Sequence, residues 1–307
     1  MNSKLLLIVA MFAAGCSAAP GETPGGITRP GKSKLAVLAT TGMIADAARV
    51  VGGDLVEVSA LMGPGVDPHL YQPSARDQGA LRKADLIFYN GLHLEGKMVE
   101  IFESLAKKKR VVAVSSSIPP DQLLSWRDSA GMHDPHIWFD VRLWQEAVRT
   151  ITRTYVDIDG PHAVDYEARC ERYLMELDEL DQYCRRRAAE LPREQRVLIT
   201  SHDAFHYFGR AYGFEVVGIQ GISTETEAGL KAITDAVDLI QERRLRAIFP
   251  ETSVPRAAIE RVAGDSQAKL GPELYSDALG APDSPAGDYA GMIRTNIDNI
   301  VGALKGP

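Results

Sequence analysis

PHAVDYEARCERYLMELDELDQYCRRRAAEL, residues 161–191, forms one long helical pattern with no glycine or proline inside it. Its apolar residues Cys170, Tyr173, Leu177, Leu180, Cys184, Ala188 and Leu191 step by three or four, with charges between them. At ~1.5 Å per residue the pattern spans about 45 Å, enough to run down the side of two domains. Pro161 suits the first turn of such a helix and Pro192 stops it. His162, at its start, reads as exposed. Cys170 and Cys184 would sit about 21 Å apart along this axis, beyond the ~7 Å that a disulfide spans. They read as small apolar core residues.

On either side the pattern changes to short apolar runs alternating with amphipathic segments. Before the helix, KLAVLATT, VEVSALMG, DLIFYNG and RVVAVSS read as buried strands, separated by helices near residues 44–51, 75–84 and 97–108. After it, RVLITSHD, EVVGIQG and LRAIFPE read as strands, with helices near 204–212, 227–244, 256–263 and 289–304. This βαβ rhythm predicts parallel sheets with helices on their faces. The expected fold class is therefore α/β, with two parallel-sheet lobes joined by one long connecting helix. The expected divisions are an N-terminal lobe over 34–160, the connecting helix over 161–191 and a C-terminal lobe over 192–307. Ligands of open parallel sheets collect beyond the carboxyl ends of the strands, so two facing sheets would enclose a cleft. The basic run KKKR, residues 107–110, reads as a solvated helix end.

The chain of 307 residues is 45% hydrophobic and 24% charged, values of an ordinary globular protein, and its formal charge of −7 argues against nucleic acid as a partner. MNSKLLLIVAMFAAGC at the N-terminus has one lysine, an apolar run too short to span a bilayer, and small residues before Cys16. Residues 1–15 read as a signal peptide and Cys16 as a lipidation site, with simple secretion as the alternative, which places the mature chain in the periplasm or on the outer face of the cytoplasmic membrane. Residues 16–33, rich in Pro and Gly, read as a flexible tether.

Only seven histidines occur, and two of them follow the same dipeptide: Asp67-Pro68-His69 and Asp134-Pro135-His136. Proline fixes its own φ and biases the residue before it toward extended geometry, so Asp-Pro-His aims an imidazole from a rigid turn. His202 directly follows the first strand after the long helix, and Asp277 in ELYSDALG sits at a similar place. Three imidazoles and a carboxylate suit Zn²⁺, or Mn²⁺ if the carboxylate binds through both oxygens. The four positions are spread over some two hundred residues, so spacing alone leaves ordinary packing roles open.

TGMIADAARVVGGD, LMGPGVDPHLYQPSARD, ADLIFYNGLHLEGKM, DPHIWFDVRLW, SHDAFHYFGRAYGFEVVGIQGIST and ELYSDALG together resemble the TroA-like zinc- and manganese-binding receptors of bacterial ABC transporters. The resemblance runs from about Lys34 to Leu304. It implies a single Zn²⁺ or Mn²⁺ held between two lobes by His69, His136, His202 and Asp277, each inside its matching motif. It implies a membrane permease with a cytoplasmic ATPase as partner, a monomeric receptor, and transport in place of catalysis. The chain departs from the family in a shortened segment before Asp277, with Pro272 where glycine is common. It also lacks the long His-rich loop of many zinc-dedicated members. A secreted zinc-dependent hydrolase and a surface adhesin are the rival readings.

Other residues carry weaker signals. His206 lies one helical turn after His202 but without the glutamate of a metalloprotease helix. His133 reads as a loop residue, His93 as a packed imidazole, and Glu251, at a strand end, as a partner for a ligating imidazole. GLHLEGKM, residues 91–98, imitates a phosphate-binding loop, but Met98 replaces the hydroxyl that would hold Mg²⁺ and Glu95 would oppose the phosphates. Trp126, Trp138 and Trp144 read as packing residues.

Overall fold

A computed structural model describes residues 34–126 and 131–306; the signal peptide, Cys16 and the tether lie outside the described residues. The apolar runs before the long helix become β1 (Leu35–Ala39), β2 (Val56–Ala60), β3 (Leu86–Tyr89) and β4 (Arg110–Ala113). Between them lie α1 (Gly42–Gly52), α2 (Ala75–Lys83) and α3 (Val99–Ala106). The four strands are parallel, in the order β2-β1-β3-β4. The second half follows two further helices, α4 (Val141–Ile158) and α5 (Ala163–Ala189). It contains β5 (Val197–His202), α6 (His206–Tyr212), β6 (Glu215–Gln220), α7 (Leu230–Arg243), β7 (Ala247–Ile248), α8 (Ala257–Ser266), β8 (Lys269–Leu270) and α9 (Tyr289–Lys305). β5 pairs with β6 and β7 with β8, all parallel. A parallel bridge from Thr200 to Phe249 joins the two pairs, so the arrangement reads β6-β5-β7-β8. Both halves therefore carry the same strand order.

α5 is the helix that the opening stretch predicts. Tyr173, Leu177, Leu180, Cys184 and Ala188 are buried along one face, with Cys170 beside them and both cysteines free. That face packs on α1 and α4 from the first half and on α6 and α9 from the second. The residues at 160–162 form a 3-10 turn before the helix proper.

α4 is absent from the expected elements. Its buried residues Val141, Leu143, Trp144, Ala147, Val148, Ile151 and Tyr155 do follow helical spacing. Three threonines, at 150, 152 and 154, obscure the pattern, because β-branched residues lose rotamer freedom in a helix. All three answer this locally: the hydroxyls of Thr150, Thr152 and Thr154 each donate to the carbonyl four residues earlier. Just after His136, Ile137–Phe139 form a 3-10 turn.

The basic run has a more specific task than solvation. Lys109 Nζ donates to the carbonyls of Leu81, Arg82 and Ala84 at 3.0, 2.7 and 2.6 Å, and so closes the C-terminus of α2, whose last carbonyls have no helical partner. The N-terminus of α2 is closed by a reciprocal pair, Ser74 with Asp77.

α9 returns to the first half. The backbone N–H of Tyr289 donates to Asp46 of α1 at 3.1 Å, and the Tyr289 hydroxyl donates to the Trp138 carbonyl at 2.7 Å. Burial raises the Asp46 carboxyl from 3.8 to about 6, against the Tyr289 N–H, which lowers it. A carboxyl with a raised folded-state value favours folding less when ionised. Its adverse contribution is absent below pH 4, grows between pH 4 and 6, and is full above that. Asp46→Asn keeps an acceptor for Tyr289 and is expected to stabilise the protein at pH 7 by about 1–2 kcal/mol. The gain should vanish in thermal unfolding below pH 4.

Candidate metal centre

The two Asp-Pro-His turns are built alike. Asp67 Oδ1 accepts from the His69 N–H at 2.8 Å, and Asp134 Oδ1 accepts from the His136 N–H at 2.9 Å. Each aspartate thus closes a turn on the residue two places on, while the proline between them holds the backbone. His69 arrives from the loop after β2, and His136 from the turn before α4. His202 is the last residue of β5, all six residues of which are buried.

Asp277 lies beyond β8 in an irregular segment pinned at several points. Leu274 bridges Glu251, Asn296 exchanges two hydrogen bonds with the backbone of Tyr275, and the Trp138 indole donates to the Ser276 carbonyl at 2.9 Å. The segment from Leu274 to Ser276 is therefore held by both halves, and Asp277 points to the same place as the histidines.

His69, His136, His202 and Asp277 each offer one ligand atom, and these four atoms all lie within 4.8 Å of one another. His69 Nε2 is 3.3 Å from His136 Nε2, which is 3.5 Å from Asp277 Oδ1; Asp277 Oδ2 is 3.4 Å from His202 Nε2. A tetrahedron with metal–ligand bonds of about 2.05 Å has edges of about 3.3 Å, so the separations are those of atoms around one cation. None of the four side chains is more than 3% exposed. His202 Nε2 and Asp277 Oδ1 are buried without a hydrogen-bond partner, a costly state for polar atoms unless something completes it.

The far sides of the imidazoles are held by carboxylates. His136 Nδ1 lies 2.7 Å from Asp134 Oδ1, and His202 Nδ1 lies 2.5 Å from Glu251 Oε2 while the His202 N–H donates to Glu251 Oε1 at 2.8 Å. Such contacts fix the tautomer that presents Nε2 to the centre. Burial and the neighbouring imidazoles hold His69 and His136 well below the ordinary histidine value, so both are neutral. Burial opposes charge on His202 too, but Glu251 and Asp277 outweigh it and raise its value to about 10. Burial pushes Asp277 and Asp134 up to about 7.

The second half also reaches over the cleft. Thr224 donates to Asp67 Oδ2 at 2.5 Å, and Lys97 pairs with Glu225 at 2.6 Å. The Tyr207 hydroxyl donates to the Asp134 carbonyl and accepts from the Leu124 N–H.

The remaining histidines stand apart from the four. His206 pairs with Asp203 at 2.8 Å, and His162 contacts Asp159 at 3.0 Å. His133 is half-buried, its strand-like backbone bridged to Ser125. His93 is exposed rather than packed, because its positive φ of 65° turns it out of the chain's path. The phosphate-loop imitation fails structurally as well: Glu95 already accepts from the N–H groups of Asn90 and Gly91. Trp138 and Trp144 are buried. Asp67 and Asp134 escaped sequence reading as orienting groups, although an aspartate two residues before a fixed histidine is a readable signal. Thr224, Asn296 and Ser253, whose hydroxyl donates to Asp277 Oδ2 at 3.3 Å, have no local signal, since only tertiary packing brings them to the centre.

Comparison with known proteins agrees with this geometry. Residues 37–303 match the model of the ZnuA family, described as the periplasmic zinc-uptake complex component A. The zinc-binding protein TroA of Treponema pallidum is 46% identical over 276 residues, which cover 88% of this chain and 89% of that one. The manganese-binding lipoprotein MntA of Bacillus subtilis is 42% identical over 288 residues, covering 91% and 94%. The solved structure of the T. pallidum periplasmic zinc-binding protein superposes with a TM-score of 0.86 at 45% identity, covering 89% of this chain and 99% of that one.

In metal-free protein, an NMR titration should find the His202 imidazolium still protonated near pH 9. Glu251→Gln should return it toward the ordinary histidine range, and an unchanged titration would remove Glu251 from this role.

Proposed function

The chain belongs to the ZnuA family of metal-uptake components, and from that premise we propose that it is an extracytoplasmic receptor that captures Zn²⁺ or Mn²⁺, one ion per chain. It passes the ion to the permease of an ABC transporter, driven by a cytoplasmic ATPase. The observation that carries the reading is the buried convergence of His69, His136, His202 and Asp277, which we take as the ligands. Two of them come from the lobe we assign to residues 34–160 and two from the lobe we assign to 192–307, with the connecting helix over 161–191.

Four protein ligands suit holding and handing over. A catalytic zinc site keeps a position open for water or substrate, and the relatives' names lend no support to a hydrolase or an adhesin. A receptor working as a monomer needs no second chain to complete this centre. The family description as periplasmic and the B. subtilis relative's name as a lipoprotein support anchoring through Cys16 on the outer side of the membrane. Among the described residues, no helix is long and apolar enough to cross it.

The donor set favours Zn²⁺ at equilibrium, because nitrogen-rich sites follow the Irving–Williams order. Asp277 turns one oxygen toward His136 and the other toward His202, which also offers Mn²⁺ a two-oxygen grip. Elemental analysis of protein taken from its native envelope, paired with competition titration of stripped protein, tests the cargo. Zn²⁺ should displace Mn²⁺ with a preference of about a hundredfold or more. His69→Ala should lose at least about tenfold in Zn²⁺ affinity with the fold intact; unchanged affinity would take His69 out of the site.

Binding must also displace the proton on His202. Between the Asp277 value of about 7 and the His202 value of about 10, uptake releases one proton and log affinity should rise about one unit per pH unit. Below pH 7 Asp277 also binds a proton, and the slope should steepen. Titration calorimetry in buffers of different ionisation enthalpy reads the proton count directly.

A further inference from the structure

Glu95 is 2% exposed and has no part in the centre as described above. It closes the loop after β3, in which Gly91, Leu92 and His93 all have positive φ, at 83°, 53° and 65°. For Leu92 and His93 that conformation is strained and persists only where the surroundings impose it. The loop is wound around the one carboxylate. Glu95 Oε1 accepts from the Asn90 N–H and from the Thr40 hydroxyl, both at 2.7 Å, and Oε2 accepts from the Gly91 N–H at 3.2 Å.

Asn90, held in this way, donates its side-chain amide to the Gly91 carbonyl at 3.1 Å and to the Pro135 carbonyl at 2.9 Å. The Pro135 carbonyl belongs to the peptide unit whose nitrogen is that of His136. A continuous path therefore runs from Glu95 through Asn90 to the backbone that aims His136.

The second half repeats the device with fewer links. Glu251 follows β7, the third strand of its sheet, and accepts from His202 at the end of β5, the first. Glu95 follows β3, the third strand of its own sheet, and accepts from Thr40, the residue after β1. Because the two sheets share one strand order, the carboxylates occupy equivalent places. One touches a ligand; the other reaches a ligand through two residues.

We infer that Glu95 is a positioning residue for metal capture, the first-lobe counterpart of Glu251, setting the aim of His136 through Asn90 and the Pro135 carbonyl. This rests on the receptor reading above. The test compares Glu95→Gln and Asn90→Ala with the wild type in full-length protein. Three quantities are measured: Zn²⁺ affinity by competition, the visible absorption bands of the Co²⁺ form, and thermal unfolding without metal. Glutamine would turn an NH₂ group toward an N–H or hydroxyl donor, whereas Asn90→Ala removes the amide's bonds to the Gly91 and Pro135 carbonyls and keeps the Asn90 N–H on Glu95. Each variant should lose about tenfold or more in affinity and show altered Co²⁺ bands, which report coordination geometry and not stability. Wild-type affinity and bands in both variants would overturn the inference, even with a lowered melting temperature. If Glu95→Gln does not fold, the Asn90→Ala affinity and bands decide alone. Wild-type protein that binds neither ion would instead overturn the receptor reading, with which the inference would fall.

Discussion

The hydrogen bond between His202 and Glu251 shows in miniature what the molecule must solve. An imidazole with no access to water is tolerable only if both ring nitrogens have partners, and only one of them can be spared for an incoming ion. Glu251 takes Nδ1 and leaves Nε2 bare. Asp134 takes Nδ1 of His136, whose Nε2 faces His69 Nε2. Each carboxylate is in turn delivered by backbone that a sheet or a rigid turn has already fixed. The centre is therefore assembled outward, from strand ends to carboxylates to imidazoles. Three of the contacts between its donor atoms are 3.3–3.5 Å, and all four atoms lie within 4.8 Å of one another.

The sheets explain why that convergence is possible. Parallel strands end on one side, and β5 carries His202 to that edge, while the loop after β2 carries His69 there. The identical strand order of the two halves then means that one structural solution is used twice. The halves differ in what they place on it. At the end of its first strand the second half has a histidine, and the first half has Thr40 with the nearby Glu95 turned inward. The first half supplies its imidazoles from two loops instead, each braced by its own aspartate.

The parts of this design visible in the sequence are those governed by local chemistry. The uninterrupted stripe from Cys170 to Ala188, the apolar strands and the repeated Asp-Pro-His turns all follow from neighbours a few residues apart. α4 was hidden because its threonines read as poor helix formers, and the hydroxyl-to-carbonyl bonds that accommodate them exist only once the helix has formed. The bracing of Asp277 was hidden for another reason. Asn296, Ser253 and Trp138 are each 19 or more residues from it in the chain, and only packing brings them to Tyr275, Asp277 and Ser276 respectively. Lys109 misled in the same way, since the helix it closes is not the one it follows. His93 misled because a left-handed backbone turned outward a residue whose apolar neighbours suggested burial.

α5 runs 27 residues without a proline or glycine and lies against both halves. A rod of that kind resists bending, so thermal motion alone seldom parts the donor atoms. In the proposed receptor, parting ligands that come from the two halves means working against that shared support. A scavenger in dilute surroundings benefits from such a detent: the cargo leaves where something pulls, and stays put everywhere else.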